Sequence, residues 1–197
     1  MGLCLAAMLT DRPPRNPGLR AQFLESDELC GLEVPPDDRL RAPANAIASA
    51  MMSGRNAAVR EACAEFLRVA ADFYGVPQPQ VRVLAARPVR VRESGWATEL
   101  FGDYTEAKME IRVWMRTAVR KQVTSLGTFL STLCHEFCHH LDARRLGFRD
   151  SPHTRGFYAR TAVLYHHARR TPMKRLIWVR VRGGRWRIDW PRTNRGY

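Results

Sequence analysis

The segment Cys134-His135-Glu136-Phe137-Cys138-His139-His140 limits this chain more than any other feature, because it asks for a helix buried along one side and reactive along another. Leu126, Phe129, Leu130, Leu133, Phe137 and Leu141 recur around it at helical spacing and form an apolar stripe. The pattern predicts a helix from Thr124 or Ser125 to Leu146, closed by Gly147. Residues four apart on a helix stand one turn, ~6 Å, along the same face. His135 and His139 can therefore direct their rings at one ion, ~2.0–2.1 Å from each nitrogen if it is zinc. Glu136 stands beside the pair, placed to act as general base on a water at an open metal position.

A catalytic zinc takes three protein ligands and leaves the fourth position open. No glutamate follows Glu136, so the candidates for the third ligand are His140, Asp142, Asp150, His153, His166, His167 and Asp189. His140 points about 100° away from His139 around the helix. Asp142 better suits a hydrogen bond to an imidazole, or a surface pair with an arginine. His153 opens a new helix after a loop able to fold back over the site, and it is favoured, with Asp142, His166 and His167 as the remaining alternatives. Cys134 and Cys138 precede the two ligand histidines by one residue each, rotated off their face, and read as small core residues.

The rest of the chain alternates helix and strand signals. Val59, Cys63, Phe66, Leu67 and Ala70 predict a helix over Asn56–Tyr74 ended by Gly75. Strands are expected at Val81–Leu84 and Val89–Arg92. A turn at Gly102-Asp103-Tyr104 then leads to a segment alternating at Met109, Ile111, Val113 and Met115, a hairpin or meander with one buried face. A helix over Thr154–Arg169 follows. Leu176–Val181 and Trp186–Trp190 flank Gly183-Gly184 as a basic β-hairpin. The fold class expected is α+β, a small mixed or antiparallel sheet packed on helices with the hairpin appended.

Charge divides the chain into three parts. Residues 1–45 hold seven acidic and five basic side chains among several prolines, and read as a loosely ordered extension with a short helix near Arg20–Leu29. Residues 46–170, the expected main domain, are net +8, and residues 171–197 carry eight basic groups against Asp189. The formal charge of +13 is almost all arginine, whose planar fork suits phosphate, so nucleic acid is a candidate partner; a compositional bias toward arginine is the alternative. In the hairpin, Arg180, Arg182, Arg185 and Arg187 alternate with Trp178, Trp186 and apolar residues. That pattern fits a nucleic-acid ribbon, and it fits equally a hairpin whose tryptophans pack on the core.

Five cysteines, with no C-x-x-C pair, argue against a disulfide scaffold and favour a reducing, cytoplasmic setting. No apolar run approaches the ~20 residues that span a bilayer. Met1–Leu9 is short, lacks a basic flank and runs into Asp11-Arg12-Pro13-Pro14, so it reads as a disordered start rather than a signal peptide.

His135-Glu136-Phe137-Cys138-His139, thirteen intervening residues, and His153-Thr154-Arg155-Gly156-Phe157 resemble the SprT-like zinc metallopeptidases. Leu100-Phe101-Gly102-Asp103-Tyr104 leading into Ile111–Met115 is similar to the strand region of that family. Thr154 stands where many relatives have glycine, and no cysteine follows Cys138 to build the zinc ribbon that some carry. The resemblance implies a zincin fold over roughly residues 55–170, with His135, His139 and His153 as zinc ligands and Glu136 as the catalytic base. It also implies an edge strand that holds an extended polypeptide substrate, and, as in some relatives, proteins associated with DNA as targets. Two rival expectations are a non-enzymatic nucleic-acid-binding protein with a structural zinc, and the same metal chemistry directed at a nucleic acid or small amide.

Overall fold

A computed structural model of the chain describes residues 8–91, 97–148 and 150–196. Asn16 accepts a hydrogen bond from the Leu19 amide at 3.2 Å, and Pro17 starts helix α1, Pro17–Glu28. Helix α2, Arg41–Met52, buries Ala44, Ile47 and Met51. These helices correct the expectation of a loosely ordered extension. Over residues 8–45 the chain adds Phe23 and Leu40 to the buried interior, and Pro17 and Pro43 stand in first turns, where a missing N–H costs nothing. The expected disordered start falls outside the described residues except for Met8 and Leu9.

Helix α3, Asn56–Tyr74, has the predicted bounds and ends at Gly75 with φ of 62°. Its stripe from Val59 to Tyr74 is wholly buried and lies over strand β1, Gln80–Ala86. Strands β2, Val89–Val91, and β3, Ala97–Glu99, form a short antiparallel ribbon. Arg92, in the expected second strand, lies outside the described residues.

The Gly102–Tyr104 segment is a strand and not a turn. It belongs to β4, Gly102–Thr105, and the reversal comes after it, through a 3-10 turn at Glu106–Lys108 and Met109 at φ of 46°. Strand β5, Glu110–Arg116, returns antiparallel to β4 and lies parallel to β1, giving the order β1-β5-β4 with β4 at the edge. Ile111, Val113 and Met115 are fully buried, as the alternation predicts.

Helix α4, Leu126–Leu141, begins at Ser125, whose hydroxyl accepts from the Thr128 amide. Phe129, Leu130, Leu133 and Phe137 seat it in the core. A π-helical turn, Asp142–Leu146, extends it to Gly147, which takes φ of 75°. Helix α5, Arg155–Arg169, follows, with Thr154 as its cap. The last turn of α1 lies on Gly156, where a Cβ would stand 2.0 Å from the Ser26 carbonyl oxygen. Arg155 pairs with Asp27 across the same junction.

Strands β6, Trp178–Val181, and β7, Arg185–Ile188, form the expected hairpin, with Gly183 and Gly184 both at positive φ. A short helix α6, Trp190–Arg195, follows and was not expected; Asp189 caps it. Leu9 bridges to Arg187, so the N-terminal segment runs alongside β7. Among the described residues the architecture is mixed α+β, with six helices and small sheets, and no helix is long and apolar enough to cross a membrane.

Candidate metal centre

The buried stripe of α4 fixes which way its other face looks. With Leu133 and Phe137 in the core, His135 and His139 emerge together into a cleft of about 940 Å³. The turn into α5 brings His153 to meet them. His135 Nε2 is 3.0 Å from His153 Nε2 and 3.2 Å from His139 Nε2. Two nitrogens bound tetrahedrally to zinc at ~2.0–2.1 Å would be separated by ~3.3–3.4 Å, close to both spacings from His135, and all three donor atoms lie within 4.8 Å of one another. His135, His139 and His153 are the one such convergent group among the described residues.

The electrostatics agree with the geometry. Burial holds the His135 ring well below its ordinary pKa, and it brings His139 down to about 3, with the neighbouring imidazoles adding to the effect. Neutral rings are the form that binds a metal. The Phe157 ring packs against all three imidazoles, with centroids 4.5–5.2 Å away, and gives the group an apolar wall. Three imidazole nitrogens in a partly dry pocket form a donor set suited to zinc.

Glu136 is 5% exposed and lines the same cleft. Burial, followed by the Asp103 carboxylate, raises its carboxyl well above the ordinary range. Gly102 on β4 makes room for it. A Cβ there would stand 2.6 Å from Thr132 Cγ2 and 2.8 Å from Glu136 Oε1. Glycine inside a strand marks a close approach of this kind, and that is why its turn signal misled. Gly102→Ala is expected to cost ~1–3 kcal/mol by overpacking, seen in urea denaturation, and to swing the Glu136 carboxylate away, seen in a crystal structure of the variant.

The other candidate ligands lie elsewhere or are engaged. His140 has one nitrogen 2.9 Å from the Tyr104 hydroxyl and the other 2.8 Å from the Pro77 carbonyl. His166 and His167 line a separate groove on the far part of α5, where His166 meets Thr171. Asp150 is exposed at the cleft margin, and Asp189 caps α6. Asp142 is fully buried and paired with Arg160 at 2.9 Å, so it is neither a surface charge nor a metal ligand. Cys134 and Cys138 are core residues; burial pushes the Cys138 thiol up to about 12 and raises the Cys134 thiol well above its ordinary value, which disfavours thiolate ligation.

Two contributors had no signal in the sequence. The Asp11 carboxylate accepts from the His153 amide at 2.9 Å and faces its Nδ1 at 3.3 Å, so that Nε2 is the nitrogen turned to the centre. The segment Met8–Arg12 that carries it forms one wall of the cleft, and Phe101–Tyr104 forms another. The C-terminal hairpin uses its tryptophans internally. Trp178 packs on Tyr158 with centroids 5.9 Å apart, Arg155 lies over Trp186, and Ile188 joins the core. Arg180, Arg182 and Arg187 remain exposed. No family model, curated protein or solved structure matches the chain.

Proposed function

We propose that this protein is a zinc-dependent peptidase of the SprT-like kind, acting on extended polypeptide. The observation that carries the reading is the convergence of His135, His139 and His153 within 3.0–3.2 Å contacts in a cleft that also holds the buried Glu136. The group has three members among the described residues, which suits an open catalytic position better than a closed four-ligand structural site. A zinc ion bound there supplies Lewis acidity toward the scissile carbonyl and the attacking water.

Each remaining role falls to a residue of the chain. The edge strand β4 runs along the cleft and offers unpaired backbone groups to a substrate strand, which would add to the sheet next to the histidines. Glu136 takes the proton of the attacking water and returns it to the departing amine. Tyr158 lines the cleft and stacks on His153, which supports it as the oxyanion donor; the Tyr165 hydroxyl lies against Gly127. The apolar wall around Phe157 excludes water from the imidazoles and strengthens their hold on a cation.

The net charge of +13 and the exposed Arg180, Arg182 and Arg187 support DNA-associated proteins as targets, through phosphate contacts rather than base stacking, because the hairpin tryptophans are engaged. The buried thiols of Cys63, Cys134 and Cys138 suit a reducing, cytoplasmic setting.

The test is metal content by mass spectrometry together with cleavage of an unfolded polypeptide such as casein. Wild-type protein is expected to carry about one zinc per chain. His153→Ala should lose most of it, and chelation should abolish cleavage. Absence of zinc from the wild type, or cleavage indifferent to a chelator, overturns the proposal.

A further inference from the structure

Asp142, Ser151 and Arg160 form a buried chain that ends on a nitrogen of His139. Asp142 opens the π-helical turn after α4 and points inward, fully buried. Arg160 of α5 is 1% exposed and reaches Asp142 Oδ1 and Oδ2 with Nη2 at 2.9 and 3.2 Å. Toward the end of α1, Nη1 meets the carbonyls of Ser26 at 3.1 Å and Leu29 at 2.6 Å, and Nη2 meets the Ser26 hydroxyl at 3.2 Å. The guanidinium is thus held from both sides, and the carboxylate has a fixed place.

The second oxygen of Asp142 accepts from the Ser151 hydroxyl at 2.9 Å. The same hydroxyl is 2.7 Å from His139 Nδ1. A hydroxyl has one proton, and here it is given to a carboxylate that has none to give back. Ser151 Oγ must then accept from His139, so Nδ1 carries the ring proton and Nε2 keeps its lone pair. That lone pair is the one aimed at His135 Nε2.

The loop makes a backbone concession to put the hydroxyl there. Asp150 and Ser151 are consecutive residues at φ of 60° and 34°, and neither is glycine. A left-handed pair of side-chain-bearing residues is sterically costly, and such outliers persist where the surroundings hold them for a purpose. If this were only a turn, glycine at position 151 would serve it better.

We infer that Ser151 is a positioning residue, fixing His139 in the Nδ1–H form with Nε2 free for a metal, and that Asp142 and Arg160 hold Ser151 in that role. The inference rests on the proposed metal centre for its consequence, and on hydrogen-bond chemistry alone for the tautomer.

Two measurements test it on the whole chain: long-range proton–nitrogen correlation spectra of the metal-free protein, which report the ring tautomer, and zinc affinity by competition with a chromophoric chelator. In the wild type His139 is expected to be a single Nδ1–H tautomer. Ser151→Gly and Ser151→Ala should both let the ring average between forms and bind zinc ~10–100-fold more weakly. Ser151→Gly should at the same time melt at a higher temperature than Ser151→Ala, because both lose the hydroxyl and only glycine accepts the left-handed backbone freely. A residue serving only the turn would show the second effect without the first. Unchanged tautomer and affinity in both variants, or an Nε2–H form in the wild type, overturns the inference. Should the wild type bind no zinc yet show the Nδ1–H form, lost in the variants, the peptidase reading falls and the positioning role of Ser151 stands.

Discussion

Glu136→Gln is expected to leave zinc content unchanged and to lower polypeptide hydrolysis by a factor of ~10²–10⁴, the usual range for a positioned general base. The substitution nearly preserves shape and removes only the basicity. It should not cost stability. Burial already disfavours the charged form of this carboxyl, which is 5% exposed, so a neutral amide is what the surroundings accommodate best. The expected pattern is therefore a protein that melts no earlier than wild type, carries its metal and does not turn over. Undiminished hydrolysis would falsify the role given to Glu136 and move the base to another group lining the cleft.

Arg160→Met should destabilise the fold by ~3–5 kcal/mol, measured by urea denaturation. Arg160 is the partner of a carboxylate with no exposure, and removing it leaves a charge in the interior with the Ser151 hydroxyl as its side-chain donor. It also strips donors from the Ser26 and Leu29 carbonyls at the end of α1. Adding Asp142→Leu to Arg160→Met should restore more than half of the loss, because an apolar pair can replace a buried ion pair at little net cost. The double variant should nevertheless bind zinc more weakly than wild type, since Ser151 has lost its anchor. A loss below ~1 kcal/mol in the single variant would show that Asp142 is not held as a buried ion.

Helix α4 and its metal-facing histidines were legible in the sequence because everything they need is local. A 3.6-residue period places the apolar stripe on one side, and a spacing of four places His135 and His139 on one face. The same reasoning recovered the bounds of α3, the buried face of β5, and the Gly183-Gly184 hairpin. His153 was the favoured third ligand because its loop is short and a helix starts after it, and it does lie 3.0 Å from His135. Where local signals misled, a packing demand had overridden them. Gly102 looks like a turn residue, but its missing Cβ serves the approach of Thr132 and Glu136. The prolines of residues 1–45 look like disorder, but Pro17 and Pro43 stand in the first turns of helices that complete the core.

The sequence by itself determined the helix that carries His135, His139 and the adjacent Glu136, and a third histidine within reach, since these depend on helical geometry and a single short loop. Tertiary structure alone decided which groups hold those histidines in place. Asp11 reaches His153 from 142 residues away in the chain, and Arg160 joins α1 to Asp142 across the space between separate helices. No periodicity encodes such pairs, because they depend on how whole elements stack rather than on the spacing within one. Hydrogen bonds to the outer nitrogens of the histidines come from wherever packing leaves a polar group facing inward.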